Sequence, residues 1–129
     1  MYAEEFEYVL DKQLNKCKNI LSIKSMEYAN NEDKLHNFKV AAEMQGIKPR
    51  EALAGMMAKH TVSVYDLCRE PYLASSEIWD EKITDHINYL ILLRAVVREE
   101  MMEGSETIDN TGTLLEGEVA TSNFVPQSN

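Results

Sequence analysis

An all-α fold is what this sequence predicts: a four-helix bundle of three long helices and one short helix, followed by a C-terminal tail. Three observations predict it. Apolar residues recur at three- and four-residue spacing along four stretches of the chain. No stretch shows sustained two-residue alternation or a hairpin signal. Gly46 and Pro71 fall where two of the periodic stretches stop. The 129 residues, 44% of them hydrophobic and 27% charged, suffice for one domain with a sizeable core.

Helix 1 is placed at about Ala3 to Tyr28, because Phe6, Leu10, Leu14, Cys17 and Leu21 share one face while Asp11, Lys12, Asn15, Lys16 and Lys18 mostly lie elsewhere. Asn30, Asn31, Glu32 and Asp33 then form a polar connection, since Asn and Asp side chains compete with the helix backbone for hydrogen bonds. Helix 2 spans roughly Lys34 to Gln45, with Leu35, Phe38, Ala41, Ala42 and Met44 as its apolar side and Gly46 as its C-terminal cap. Pro49 suits the first turn of helix 3, whose stripe of Leu53, Met56, Met57, His60, Val64 and Leu67 reaches Arg69 before Pro71 ends it. Ser75 or Ser76 caps helix 4, and Glu77, Asp80 and Glu81 sit favourably near its positive end. Its apolar spacing runs from Trp79 through Ile83, Ile87, Leu90, Leu93 and Val97 to about Met102. Between Tyr89 and Val97 only Arg94 is polar, which predicts that helix 4 is central in the core. The helical domain is therefore expected over 1–102 and an acidic, flexible tail over 103–129, where Gly104, Gly112, Gly117 and Pro126 accompany many Ser, Thr and Asn. A neighbouring subunit could hold that tail through Leu114, Leu115, Val119 and Phe124.

The formal charge is −9, from 22 acids and 13 bases. Glu103, Glu106, Asp109, Glu116 and Glu118 face no Lys or Arg beyond residue 102, so the body keeps 17 acids against 13 bases, a net −4. No basic stripe exists for neutralising phosphates, so direct nucleic-acid binding is not expected, nor is binding to an anionic membrane. The longest apolar stretch, Tyr89 to Leu93, is too short to span a bilayer. An acidic N-terminus without signal-peptide regions points to the cytoplasm. There Cys17 and Cys68 read as small buried hydrophobes rather than a disulfide.

Three patches carry possible chemistry. Glu77, Glu81, Asp85 and Asn88 form a polar ridge on helix 4. In one reading Glu77 and Glu81 are solvated while Asp85 and Asn88 make structural hydrogen bonds. In the other, Asp85 and Asn88 face a ligand pocket, because a carboxylate is costly to bury alone. On helix 3, Lys59, Ser63 and Asp66 follow at helical spacing beside His60. Lys59 is a candidate partner for Asp66, for Asp85, or for a phosphate, and His60 reads first as a core residue. Around the polar connection, Tyr28, Asp33, Asn37, Phe38 and Lys39 can offer an amide, an aromatic face and a cation to a planar ligand such as a nucleobase, with Phe38 also a plain core candidate.

Taken in order, Glu27-Tyr28-Ala29, Asn37-Phe38 with Ala41-Ala42, Met56-Met57-Ala58-Lys59, and Asp80 to Asp85 with Asn88-Tyr89 resemble uncharacterised phage and prophage proteins related to the MazG-like all-α nucleoside triphosphate pyrophosphatases. The resemblance covers about residues 20 to 98. It implies a four-helix, homo-oligomeric protein that binds a nucleotide. Catalytic members hold Mg2+ with an ExxE pair on one helix and an ExxD pair on the next, and the metal activates water. This chain departs from that pattern. Met56 and Lys59, or Lys59 and Val62, stand where the first pair falls, and Lys82 opens the second. Asp85 is retained and Glu81 lies one residue out of register, so these two are the remaining candidate metal ligands.

The resemblance thus implies nucleotide binding, with pyrophosphatase-like hydrolysis as the reaction if there is one. In it Lys59 meets phosphate, Asp85 and Asn88 orient the ligand, Asp66 lies beside Lys59, and Asn37 with Tyr28 lines the base side. The acidic charge supports a second class of function, a phage interaction protein that inhibits a host defence factor through a basic surface on that host partner. A helical oligomerisation module without a ligand is the third.

Overall fold

The computed structural model describes residues 1–27 and 33–111, with side chains at 1–23 and 33–105. The described backbone is helical and contains no strand, as an all-α fold requires. Its elements are α1 (Ala3–Glu27), α2 (His36–Gln45), α3 (Pro49–Arg69), a 3-10 turn at Pro71–Leu73, and α4 (Ser76–Thr111). Tyr28 and the Asn30–Glu32 connection lie outside the described residues, as do Leu114, Leu115, Val119 and Phe124 of the tail. The chain divides into two compact units, Met1–Arg94 and Ala95–Asn129.

Local chemistry sets most boundaries in the first unit. Helix 2 begins at His36, two residues later than the apolar spacing suggests, because Asp33 organises a turn ahead of it. Its carboxylate accepts the Leu35 N–H at 2.9 Å, and its carbonyl accepts the His36 N–H at 3.1 Å. Gly46 ends α2 in the left-handed region at φ 66°, which a residue without Cβ adopts freely. There the Gly46 and Ile47 N–H groups reach the Glu43 and Ala42 carbonyls at 3.2 and 3.0 Å. Pro49 opens α3, and Glu51 reaches back to accept the Lys48 N–H at 2.8 Å. Ser75 Oγ accepts the Ile78 N–H at 3.3 Å and so caps α4.

The core of this unit lies at the α2–α3 corner, where Leu35, Phe38, Ala42, Ala52 and Leu53 are buried. This corrects two expectations. Helix 4 is not enclosed on all sides: Leu90 and Ile91 are 47% and 43% exposed, and the side chains it buries in this unit are Thr84 and Asn88. The apolar face of α1 is covered only in part. Cys17 is buried and Leu21 half-buried, whereas Phe6, Leu10 and Leu14 are exposed. Both cysteines are free, but only Cys17 is the buried hydrophobe that composition suggests. Cys68, one residue past the helix 3 stripe, is exposed.

In the second unit the described backbone is the C-terminal part of α4, with Val96 buried. The helix continues to Thr111 rather than stopping near Met102. Propagating an existing helix past Gly104 costs only about 1 kcal/mol, far less than nucleating a new one. Ser105 Oγ returns its hydrogen bond to the Met101 carbonyl at 3.1 Å instead of breaking the turn.

Candidate functional site

Three helices of the first unit meet at one aromatic cluster. Tyr89 of α4 receives the Phe38 ring of α2 edge-on at 6.4 Å between centroids, and the His60 ring of α3 lies against it at 4.5 Å with a 31° tilt. Phe38 is therefore core, and His60, half-buried, is an aromatic packing partner. Such pairs fix ring orientation more strictly than aliphatic contacts do. Next along α4, His86 Nε2 lies 3.0 Å from the Thr61 hydroxyl, a second tie between α3 and α4. Helical phase places both ties together, since His60–Thr61 and His86–Tyr89 each present adjoining positions to the seam.

Each of three sequence candidates sits beside a member of this cluster in the chain: Asn37 beside Phe38, Lys59 beside His60, and Asn88 beside Tyr89. Asn37 and Lys59 are exposed, while Asn88 is 5% exposed. Both polar atoms of the Asn88 carboxamide, Nδ2 and Oδ1, are buried without a hydrogen-bond partner among the described residues. A buried polar group left unsatisfied costs about 1–3 kcal/mol, so this amide is an energetic anomaly among the described residues. Asp85, one turn earlier on α4, is half-buried. Among the described residues Lys59 forms no ion pair with Asp66 or Asp85, so the three do not close into a structural network. Asp66 is exposed. Tyr28 lies outside the described residues.

The other polar candidates are engaged elsewhere. Lys39 Nζ lies 2.7 Å from Asp33 Oδ2, which holds the Asp33 carboxyl below its usual pKa with help from the Leu35 N–H. That cation is matched by its own chain. Asp80, expected to favour the α4 N-terminus, also takes Lys16 of α1 at 2.6 Å, and this hydrogen bond lowers its pKa. Glu77 is lowered first by its own backbone N–H and then by the Ser75 hydroxyl, as a carboxylate at a helix start should be. Glu81 Oε1 meets Lys82 at 3.2 Å on an exposed surface.

These contacts bear on the metal that the resemblance implies. Hard divalent cations need several oxygen ligands around one point. Among the described residues no three His, Cys, Asp or Glu side chains converge in that way. Asp85 and Glu81 alone, with Lys82 at the Glu81 carboxylate, do not fit a two-metal hydrolase, and no hydrolytic step is derived for this chain.

Two functional contacts were not foreseen from the residues. One is Tyr89, whose role as the hub is signalled only by its place at the edge of an apolar run. The other is Gln13, whose Nε2 donates to Thr84 Oγ1 at 2.9 Å and to Cys17 Sγ at 3.4 Å, joining α1 to α4 through the fully buried Thr84. Met1, Glu4, Glu5, Tyr8 and Val9, on or next to the first turns of α1, line only an open, shallow surface that shares no residue with the Asn88 face. Among the described residues no helix is long and apolar enough to cross a membrane. No family model, curated protein or solved structure matches the chain.

Proposed function

We propose that this chain is a homo-oligomeric, phage-type MazG-like protein that binds a nucleotide or a nucleotide-derived small molecule on the α3–α4 seam. The observation that carries the reading is the Asn88 carboxamide, buried and without a hydrogen-bond partner at either polar atom among the described residues. A carboxamide offers a donor and an acceptor side by side, the complement of the edge of a nucleobase. Such a ligand would satisfy both atoms at once and offset the penalty of burying them unpaired. In this reading Asp85 accepts from a second ligand donor, Asn37 lines the base side with the Phe38–Tyr89–His60 rings behind it, and exposed Lys59 meets phosphate as a point charge. A body at −4 with an available lysine tolerates a small anion in a way it would not tolerate a long polyanion.

Titration calorimetry of the full chain against nucleosides and their mono-, di- and triphosphates, with and without Mg2+, tests it. Binding should weaken at least tenfold in Asn88→Leu, and Lys59→Ala should lose more affinity for triphosphates than for nucleosides. Because leucine removes the unpartnered amide at similar volume, Asn88→Leu should melt no lower than the parent while losing the ligand. Absence of heat with every compound, or undiminished affinity in Asn88→Leu, sinks the reading.

A different observation favours the helical oligomerisation module as a second reading. The described residues leave Phe6, Leu10 and Leu14 of α1 exposed although they continue the face that buries Cys17. The two readings are compatible, since self-association through α1 leaves the α3–α4 seam free.

A further inference from the structure

We propose that α1 is the seat of self-association and that two copies of this chain pair there antiparallel. The inference deepens the homo-oligomeric part of the proposed function and is independent of its ligand. It begins with a face that the described residues do not cover: Phe6 is 59%, Leu10 45% and Leu14 53% exposed, with Tyr2 and Val9 exposed near them. Scattered apolar residues on a surface need no explanation, but a contiguous stripe along one helix marks an interaction surface. Leu10, Leu14, Cys17 and Leu21 follow at spacings of four, three and four, the repeat by which one helix packs along another.

The distribution of charge names the occupant and its direction. Over residues 3–18 of α1 the acids Glu4, Glu5, Glu7 and Asp11 all precede the bases Lys12, Lys16 and Lys18; Lys24 and Glu27 follow near its C-terminal end. A parallel pair would set acid on acid and base on base. An antiparallel pair sets the acidic half of each copy against the basic half of the other, and like charges that would oppose one another in the wrong orientation become attractive pairs. A two-fold axis near residue 12 places Leu10 of one copy against Leu14 of the other, and brings Glu7 opposite Lys18, while Lys16 stays paired with Asp80 of its own chain. The acidic C-terminal segment fits less well, since it carries no base to meet Glu4, Glu5 and Glu7. The geometry is adequate in size. Twenty-five residues of helix extend about 37 Å, long enough for two facing stripes to approach the ~800 Å2 per partner of a stable interface.

Sedimentation velocity of the full chain over a range of concentrations reads the outcome. The parent should dimerise, and Leu10→Glu with Leu14→Glu should return it to a monomer with unchanged helix content, because both positions are exposed within one copy. Tyr8→Ala, on the opposite side of α1, should not change the mass. Glu7→Lys alone and Lys18→Glu alone should each weaken the dimer at least tenfold, and an equimolar mixture of the two should restore it. A parent that stays monomeric up to about 100 μM, well above typical specific affinities, overturns the inference while leaving the calorimetric test of ligand binding untouched. It is also overturned if the dimer survives both glutamates, or if dimerisation appears only after residues 112–129 are removed, which would make that segment the occupant of the stripe. Ligand binding lost with the dimer intact overturns the ligand reading alone.

Discussion

The α2–α3 corner and the α1–α4 seam of the same compact unit are built on opposite principles. At the corner, three residues connect two helices, Gly46 supplies the left-handed turn, and the side chains between the helices are Leu35, Phe38, Ala42, Ala52 and Leu53. At the seam, residues more than sixty positions apart are tied by polar atoms, Gln13 to Thr84 and Lys16 to Asp80, while neighbouring leucines stay in water. Closing a short loop costs little entropy, so a few apolar contacts hold the corner. A distant pairing has a larger entropic cost to overcome, and directional bonds in its place give register more than stability. The corner is thus the source of stability and the seam is the adjustable part, which is where the exposed apolar stripe of α1 occurs.

The largest effect should come from the corner. Leu53 is fully buried, so Leu53→Ala removes packed methyl groups and leaves a cavity, with an expected loss of about 2–5 kcal/mol. That amounts to a fall of roughly 10 °C or more in Tm, measured by circular dichroism at fixed protein concentration. Leu14→Ala, chemically the same change at an exposed position of α1, should alter the Tm of the monomer by less than about 0.5 kcal/mol equivalent. Equal effects at the two positions would mean that α1 is packed as tightly as the corner and would remove the contrast.

That contrast also explains what could be read from the residues. Helix 3 was legible to the residue at both ends, because Pro49 and the Arg69–Pro71 stop are local signals. So was the Gly46 cap. Periodicity identified the faces that can be buried but not which of them the chain itself buries. Phe6, Leu10 and Leu14 read the same way as Leu53 and are exposed all the same. The end of α4 was missed because a glycine inside a growing helix looks like a terminator in the sequence and is only a modest cost in the structure. At the candidate site, Asn88 was legible as a polar residue on an apolar flank. Its lack of partners was not, since that depends on what the other helices bring to it. Tyr89 and Gln13 act through contacts 29 to 71 residues away, beyond any local pattern.

A medium-sized effect should break the seam. Gln13→Leu leaves the Thr84 hydroxyl buried without its donor, at a cost of about 1–3 kcal/mol. Thr84→Val removes the other half and leaves the Gln13 amide free to turn to water, so it should cost less. The double variant replaces both groups by apolar ones and should recover most of the loss. A double-mutant cycle in urea reads this as a coupling energy of about 0.5–3 kcal/mol. Purely additive effects would show that the Gln13–Thr84 hydrogen bond does not hold α1 to α4.

The smallest effect is the most selective, because it uses pH to separate the two regions. Asp80 in the seam is lowered from 3.8 chiefly by its hydrogen bond from Lys16, and Asp33 beside the corner is lowered chiefly by Lys39 and then by the Leu35 N–H. A carboxylate whose folded pKa lies below its unfolded value binds its proton more readily when unfolded. Its stabilisation is therefore complete above the unfolded pKa and is lost as pH falls through the folded one. Stability of the parent should decline between about pH 5 and pH 3. Asp80→Asn and Asp33→Asn should each flatten part of that decline and lower stability at neutral pH slightly. The two differ in what else they support. Lys16–Asp80 is a side-chain pair with both partners partly solvated, so its share should shrink in 0.5 M salt, where screening acts over a few ångströms. Asp33 also anchors the Leu35 N–H at the start of α2, a short-range bond that salt barely screens. The Lys39–Asp33 pair is screened as well, so both pH slopes should shrink in salt, with that removed by Asp33→Asn keeping the smaller share that the Leu35 N–H supplies. Equal salt sensitivity would place Asp33 among ordinary surface pairs and leave the start of α2 to the apolar contacts of Leu35 and Phe38.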